Sequence, residues 1–352
     1  MYWKLPDGSE IGLSFDDLLS AVKLLYRSGT PHLIYDTDKI RSFYSNTRDW
    51  LEYDGPSGTV VAPYQLVADF RKGNAPKGWG SVKCVEPYQF PLVLEEHRAK
   101  MVAMFESAKK LPKGNRQSPR VKSFRFDESN ILELTVQLAM YYDQVGTNLT
   151  LDQPFGSSFS SGIGIAKCVR EWDMAHSSCP GVVPDLENSQ LANTVGVAVG
   201  VTALDQFGQR QILKRLRDKK VAVYENQWHI PFSFALAWPD DLEPGESISI
   251  SDFIRRDYGH ELAEELPGIE PTDFESPRII AFCRDMVRGG KPQFFFEIRS
   301  RLSINELQAR IRSDGAEFRN KTDIVDGVGP SLSTELLAFG VLVGIPAKTV
   351  AS

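Results

Sequence analysis

The stretch Gly245–Ile269, GESISISDFIRRDYGHELAEELPGI, decides how this sequence is read. From Asp252 onward the pattern is helical: Ile254, Tyr258, Leu262 and Leu266 recur every four residues as one apolar stripe. The spacing predicts a helix over Asp252–Leu266 that lies on a sheet. A neighbouring stripe carries Asp257, Glu261, Glu264 and Glu265, again three and four apart. Like charges so placed oppose a helix by roughly 0.2–0.5 kcal/mol per pair. A cation beside them would offset that cost. Hard divalent ions such as Mg²⁺ take oxygen ligands and are usually shared between carboxylates and substrate phosphates. Such an ion neutralises developing charge and lowers the pKa of a bound water. The plainer reading of the same stripe is a solvated acidic face.

Outward from this segment the pattern is strand-rich. Thr194–Leu204 is rich in β-formers, Gln211–Leu216 alternates, and Trp228–Trp238 is aromatic and apolar. Downstream, Pro277–Phe282 and Gln293–Ile298 are further strands, and Arg288-Gly289-Gly290-Lys291 between them has hairpin turn chemistry. Ser303–Ile311 and Ser333–Val343 read as helices.

The run Gly245-Glu246 followed by His260-Glu261-Leu262-Ala263-Glu264-Glu265-Leu266-Pro267-Gly268-Ile269 resembles a diverged Nudix box, whose family pattern is G-x5-E-x7-R-E-U-x-E-E-x-G-U with U aliphatic. The order of a first strand, a second strand ending in basic residues, a tryptophan strand and the entry to the box also resembles a Nudix domain. The departures are specific. The family's first glycine falls on Asp240, the interval from Glu246 to His260 is longer by about six residues, Pro267 is inserted, and His260 replaces an arginine.

The resemblance implies an α/β/α sandwich with a mixed sheet over residues 188–352, and Mg²⁺ or Mn²⁺ held by Glu261, Glu264 and Glu265, with Glu246 at the earlier glutamate position. It implies hydrolysis of a diphosphate linkage in a nucleoside-diphosphate-linked small molecule. The alternative is an inactive Nudix-fold sensor that binds a nucleotide-like ligand and regulates a partner. Lys214, Arg215 and Arg217 are candidates for the substrate phosphates, and Trp228 for a base or sugar; solvation and core packing are their plainer readings. For the base that activates water the candidates are Asp285, Glu297 and Glu265, the first two reading equally as surface charges.

The first half, residues 1–187, reads as an α+β domain that serves as a lid, in specificity or in dimerisation, because ligand pockets favour domain interfaces. Phe15–Arg27 has helical spacing and His32–Tyr35 is strand-like. Leu94–Lys110 reads as a helix, Lys113–Arg120 as a basic loop and Ser129–Val145 as a buried helix. The Gly- and Ser-rich run Gly156–Gly164 and the Pro-containing Ser177–Glu187 mark the boundary.

At 352 residues the chain exceeds the usual size of one core, and 42% hydrophobic with 24% charged residues excludes disorder. A net charge of −6 offers no overall basic field, which argues against polymeric nucleic acid and for a small-molecule partner. No apolar run is long enough to span a bilayer. Four scattered cysteines and the polar start Met1–Glu10 fit reduced thiols in a cytoplasm. Cys168, His176 and Cys179 match no strong zinc spacing, and a homodimer is compatible with the sequence.

Overall fold

Valines at 197, 199 and 201 alternate with Ala198, and Phe294, Phe296 and Ile298 alternate with Phe295, so each segment has two apolar faces to bury. Both become central strands. The computed structural model describes residues 2–4, 10–12, 33–55, 58–71, 78–112, 114–155, 166–217, 221–225, 227–243, 245–311 and 332–345.

The described elements, in chain order, begin with the short pair β1 (Tyr2–Lys4) and β2 (Glu10–Gly12). Then come α1 (Thr37–Phe43), β3 (Trp50–Gly55), β4 (Gly58–Asp69), β5 (Gly78–Pro87) and α2 (Glu95–Ser107). The strands β6 (Gln117–Phe126) and β7 (Ile131–Met140) precede two short helices, α3 (Tyr141–Val145) and α4 (Val169–Met174). The second half supplies β8 (Gly196–Leu204), β9 (Arg210–Ile212), β10 (Arg215–Leu216), β11 (Trp228–His229), β12 (Phe232–Ala235) and β13 (Ser247–Ser249). It ends with α5 (Ile250–Glu265), β14 (Arg278–Asp285), β15 (Lys291–Arg299), α6 (Ile304–Arg310) and α7 (Thr334–Val343).

The protein is a mixed α/β structure. A seven-stranded sheet has the order β12-β8-β15-β14-β4-β3, with β9 alongside β8, and a four-stranded sheet has the order β13-β5-β7-β6. The pairs β8–β15 and β5–β7 are parallel and the remaining neighbours antiparallel. One face of the large sheet, with Val197, Val199, Phe282, Phe294 and Phe296, packs against Val82, Val121, Leu134 and Val136 of the small sheet and against Phe253, Ile254 and Leu262 of α5. Its other face, with Tyr64, Ala198, Cys283 and Phe295, is covered by Leu336, Phe339 and Leu342 of α7. The close seating of α7 requires Gly200, since a Cβ there would lie 2.2 Å from the Phe339 ring.

Hydrogen-bonded strands cross the expected boundary at residue 187. Phe282 of β14 pairs with Ala68 of β4, and Ile248 of β13 pairs with Val82 of β5. The expected strands at 194–204, 277–282 and 293–298 and the three expected helices of the second half are present within a few residues of their anticipated bounds, whereas Gln211–Leu216 is divided into β9 and β10, and Trp228–Trp238 into β11 and β12, which lie in different sheets. Ser249 caps α5 by accepting from the Asp252 N–H at 3.1 Å, so the helix starts two residues before Asp252.

The first half departs from expectation. Ser129–Val145 is not one helix but β7 followed by α3, because Leu132, Leu134 and Val136 repeat with period two and Thr135 and Val136 favour a pleated strand. Lys113–Arg120 is not wholly a loop: β6 starts at Gln117, paired to Met140 of β7. Residues 33–35 form no strand and lead into α1, whose Asp36 accepts from Lys39 N–H at 2.9 Å. The helix expected to reach Lys110 ends at Ser107, with Lys109 at φ 56°. Phe15–Arg27 and Gly156–Gly164 lie outside the described residues. No helix among the described residues is long and apolar enough to cross a membrane, and all four cysteines are free thiols.

Candidate functional site

The β14–β15 hairpin turns through Gly289 (φ 69°) and Gly290 (φ 81°), a backbone conformation that glycine adopts without strain. Arg170 of α4 fixes that turn from below. Its five N–H groups are all used: two on Asp152 at 2.6 and 2.8 Å, one on the Tyr44 hydroxyl at 3.0 Å, and one each on the Met286 and Val287 carbonyls at 2.9 and 2.7 Å. Arg170 is fully buried. From the side, Asn148 Nδ2 donates to the Arg288 carbonyl at 2.8 Å. The backbone that carries Arg288 and Lys291 is therefore held rigidly.

Arg288 then joins three elements. Its Nε donates to Asp285 at 2.5 Å, at the end of β14, and one terminal nitrogen donates to Glu335 Oε1 at 2.6 Å, in the first turn of α7. Asp285 is saturated by additional donors: the Tyr64 hydroxyl at 3.3 Å and the N–H groups of Val287 and Arg288 at 3.0 and 3.3 Å. Burial pushes the Glu335 carboxyl up, but Arg288 and then His229 outweigh it and hold it well below the usual range. His229 Nε2 lies 3.2 Å from Glu335 Oε2. Its Nδ1 donates to the Ile230 carbonyl at 2.9 Å, and burial followed by Arg217 lowers its pKa. Glu335 opposes that lowering, and His229 Nε2 also lies 3.4 Å from a terminal nitrogen of Arg217.

Of these groups Arg217, Arg288 and Glu335 line a cavity of about 440 Å³, a size suited to a small-molecule ligand. Six basic residues line it, namely Lys109, Lys110, Arg116, Arg217, Arg288 and Lys291, against the carboxylates of Glu261 and Glu335. Lys110 is paired with Glu225 at 2.6 Å. Residues from before and after residue 187 line it together. A second cavity, of about 530 Å³, has Asp49, Asp185 and Glu187 around Arg284 and so carries the opposite balance of charge.

Of the residues singled out in the sequence, Glu261 and Arg217 line the basic cavity. Ile254, Leu262 and Leu266 are buried as the apolar stripe required, and Tyr258 packs beside Phe232 at 6.0 Å. Glu265 is buried behind Arg215, which donates to the Glu265 carbonyl and whose pKa falls to about 10 through burial, opposed by the Glu265 charge. Glu264 is exposed and 3.5 Å from His260. Glu246 is exposed and accepts from the Glu243 N–H at 2.9 Å. Lys214 lies over the Trp228 ring at 4.9 Å, so these two engage each other. Glu261, Glu264 and Glu265 thus have three different environments, and among the described residues no group of three or more His, Cys, Asp or Glu side chains has a geometry that could hold a metal ion.

Neither Asp285 nor Glu297 is a surface charge: both are buried. Glu297 is bound by Thr202 at 2.9 Å, Arg278 at 2.5 Å and Arg210 at 3.3 Å, which leaves it acceptor-saturated and unsuited to take a proton from water. Sequence reasoning missed Arg288, Lys291 and Glu335. The first two read as turn residues and the third was not singled out within the expected helix Ser333–Val343; a cation on each side of Gly289-Gly290 ahead of the Phe294–Phe296 run was the available signal.

No protein-family model matches this chain, and no curated protein is significantly similar to it in sequence.

Proposed function

We propose that this protein binds a small molecule bearing a diphosphate or comparable polyanion in the basic cavity, as a Nudix-type domain that reads a nucleotide-like ligand without hydrolysing it. One observation carries the proposal: Lys109, Arg116 and Arg217 line one cavity of ligand size, beside the ion-paired Arg288 and Lys110, in a chain whose net charge is −6. Such a concentration of cations in a concave, low-dielectric site attracts anions. The Nudix-type assignment is supported by the helix α5 at the expected place and by the burial of its apolar stripe. A sensor is favoured over a hydrolase because Glu264 is exposed, 3.5 Å from His260, whereas Glu265 is buried beside Arg215. In this reading the first half, which supplies Lys109, Lys110 and Arg116, sets ligand specificity.

The second reading, metal-dependent hydrolysis of a diphosphate linkage with Mg²⁺ or Mn²⁺, has Glu261 in its favour, since that box carboxylate faces the cavity. A panel of nucleoside diphosphates, nucleotide sugars and nucleoside triphosphates decides between the two. A ligand-dependent rise in melting temperature without phosphate or nucleotide release, with or without Mg²⁺, supports the sensor. Release that vanishes in Glu261→Gln with the fold intact supports the hydrolase, and no thermal response to any member rejects both.

A further inference from the structure

Lys291 opens β15 at the cavity floor, and only 2% of it is exposed. Its Nζ packs on Gly196 of the parallel neighbour β8, where a Cβ would come within 2.5 Å of it. No hydrogen bond or ion pair reaches this nitrogen among the described residues. Nearby, Gln293 Nε2 is buried with no hydrogen-bond partner among the described residues.

An ammonium largely withdrawn from water and set beside a guanidinium is unfavourable, and such a group sheds its proton more readily. The surrounding charges agree. Burial first and Arg288 second lower the Lys291 pKa to about 7, against the pull of Glu335 on α7 and Asp285 on β14. Both of those carboxylates are already bound to Arg288, and Arg217, which lines the same cavity, is a cation. At neutral pH the free-amine fraction is thus roughly a thousandfold larger than for an ordinary lysine. A desolvated free amine next to a cation is an activated nucleophile for carbonyl carbon.

We propose that Lys291 condenses with the aldehyde of a phosphorylated small molecule to form an imine. The Nζ lone pair adds to the carbonyl carbon while the carbonyl π pair moves to oxygen, which takes up the proton that nitrogen releases. The carbinolamine then loses one water as the C=N bond forms, and nothing is oxidised or reduced. The cationic wall of Arg217, Arg116 and Lys109 holds the phosphate, so the choice of a phosphorylated substrate rests on the anion-binding reading above.

The test uses the full chain at pH 7.5 with pyridoxal 5′-phosphate, and with pyridoxal as the phosphate-free control. Borohydride reduction and peptide mapping then locate the adduct. Expected is one adduct on Lys291 at low stoichiometry, at least tenfold less of it with pyridoxal, competition by inorganic pyrophosphate, and loss of the adduct in Lys291→Met. Mapping on the unsubstituted protein decides the matter even if that variant fails to fold. Modification spread over exposed lysines such as Lys39 and Lys83, with Lys291 untouched, overturns the proposal. Pyridoxal 5′-phosphate that raises the melting temperature and is displaced by pyrophosphate without an adduct overturns it too, while leaving anion binding intact. Equal labelling by both aldehydes overturns the substrate class named here.

Discussion

Replacing Arg170 by Met removes the guanidinium on which the hairpin turn rests. Asp152 is then left buried with only the Ile34 N–H at 2.9 Å, and the Met286 and Val287 carbonyls lose their donor. Removing one member of a buried ion pair costs roughly 3–5 kcal/mol, because the remaining charge stays desolvated. Each orphaned carbonyl adds about 1 kcal/mol. The expected loss is therefore at least about 4 kcal/mol, read from urea denaturation followed by tryptophan fluorescence and circular dichroism. The double variant Arg170→Met with Asp152→Leu removes both charges at once and should recover most of the ion-pair part, since an apolar pair of similar volume is often neutral in such a place. The loss that persists measures the carbonyls and the Ile34 N–H. A single variant that loses under about 1 kcal/mol, or a double variant as unstable as the sum of the two single ones, would refute this account of the turn.

Three further outcomes follow from named contacts. His97 is buried, and burial first and Lys100 second lower its pKa to about 4. A depressed base contributes stability that is present above the unfolded value near 6.5 and lost as pH falls through about 4, so His97→Gln should lose roughly 3 kcal/mol less than the parent between pH 7 and pH 4 in denaturant titrations. By the same sign, Lys291 contributes stability present above its unfolded pKa near 10.4 and lost as pH falls through about 7. Relative to Lys291→Met the parent should lose roughly 3–5 kcal/mol between pH 10 and pH 6; a pH-independent difference would show the amine to be protonated throughout. Gly200→Ala drives a Cβ into the buried Phe339 ring and should cost about 1–3 kcal/mol in the same denaturation assay, and an unchanged midpoint would mean that α7 does not seat as described.

Much of the second half was legible because its segments carry a single period. Val197, Val199 and Val201 alternate cleanly, the phenylalanines of β15 form an unbroken apolar run, and Ile254, Leu262 and Leu266 keep helical spacing. Ile131–Met140 was misread because apolar residues at nearly every other position and between them satisfy both periods, and pairing with β5 and β6 decides what the local pattern does not. The site was harder to read. Glu261 and Arg217 were found through the box and the basic strand end, yet burial of Arg288, Lys291 and Glu335 arises only when a turn, a strand and a helix start meet. Glu265 looks like a ligand in sequence, and Arg215, fifty residues earlier, is what engages it in the fold. Long-range pairing of this kind leaves no periodic trace.

The central claim, that the cavity takes an anion, is tested most directly by calorimetric titration of ADP and of adenosine without metal. The parent protein is compared with a Lys109→Glu, Arg116→Glu variant, whose changes fall at exposed rim positions. ADP should bind at least about tenfold more tightly than adenosine, weaken as salt is raised, and lose that advantage in the variant. Equal affinity for the two ligands, or an ADP affinity indifferent to the charge reversal, would contradict it.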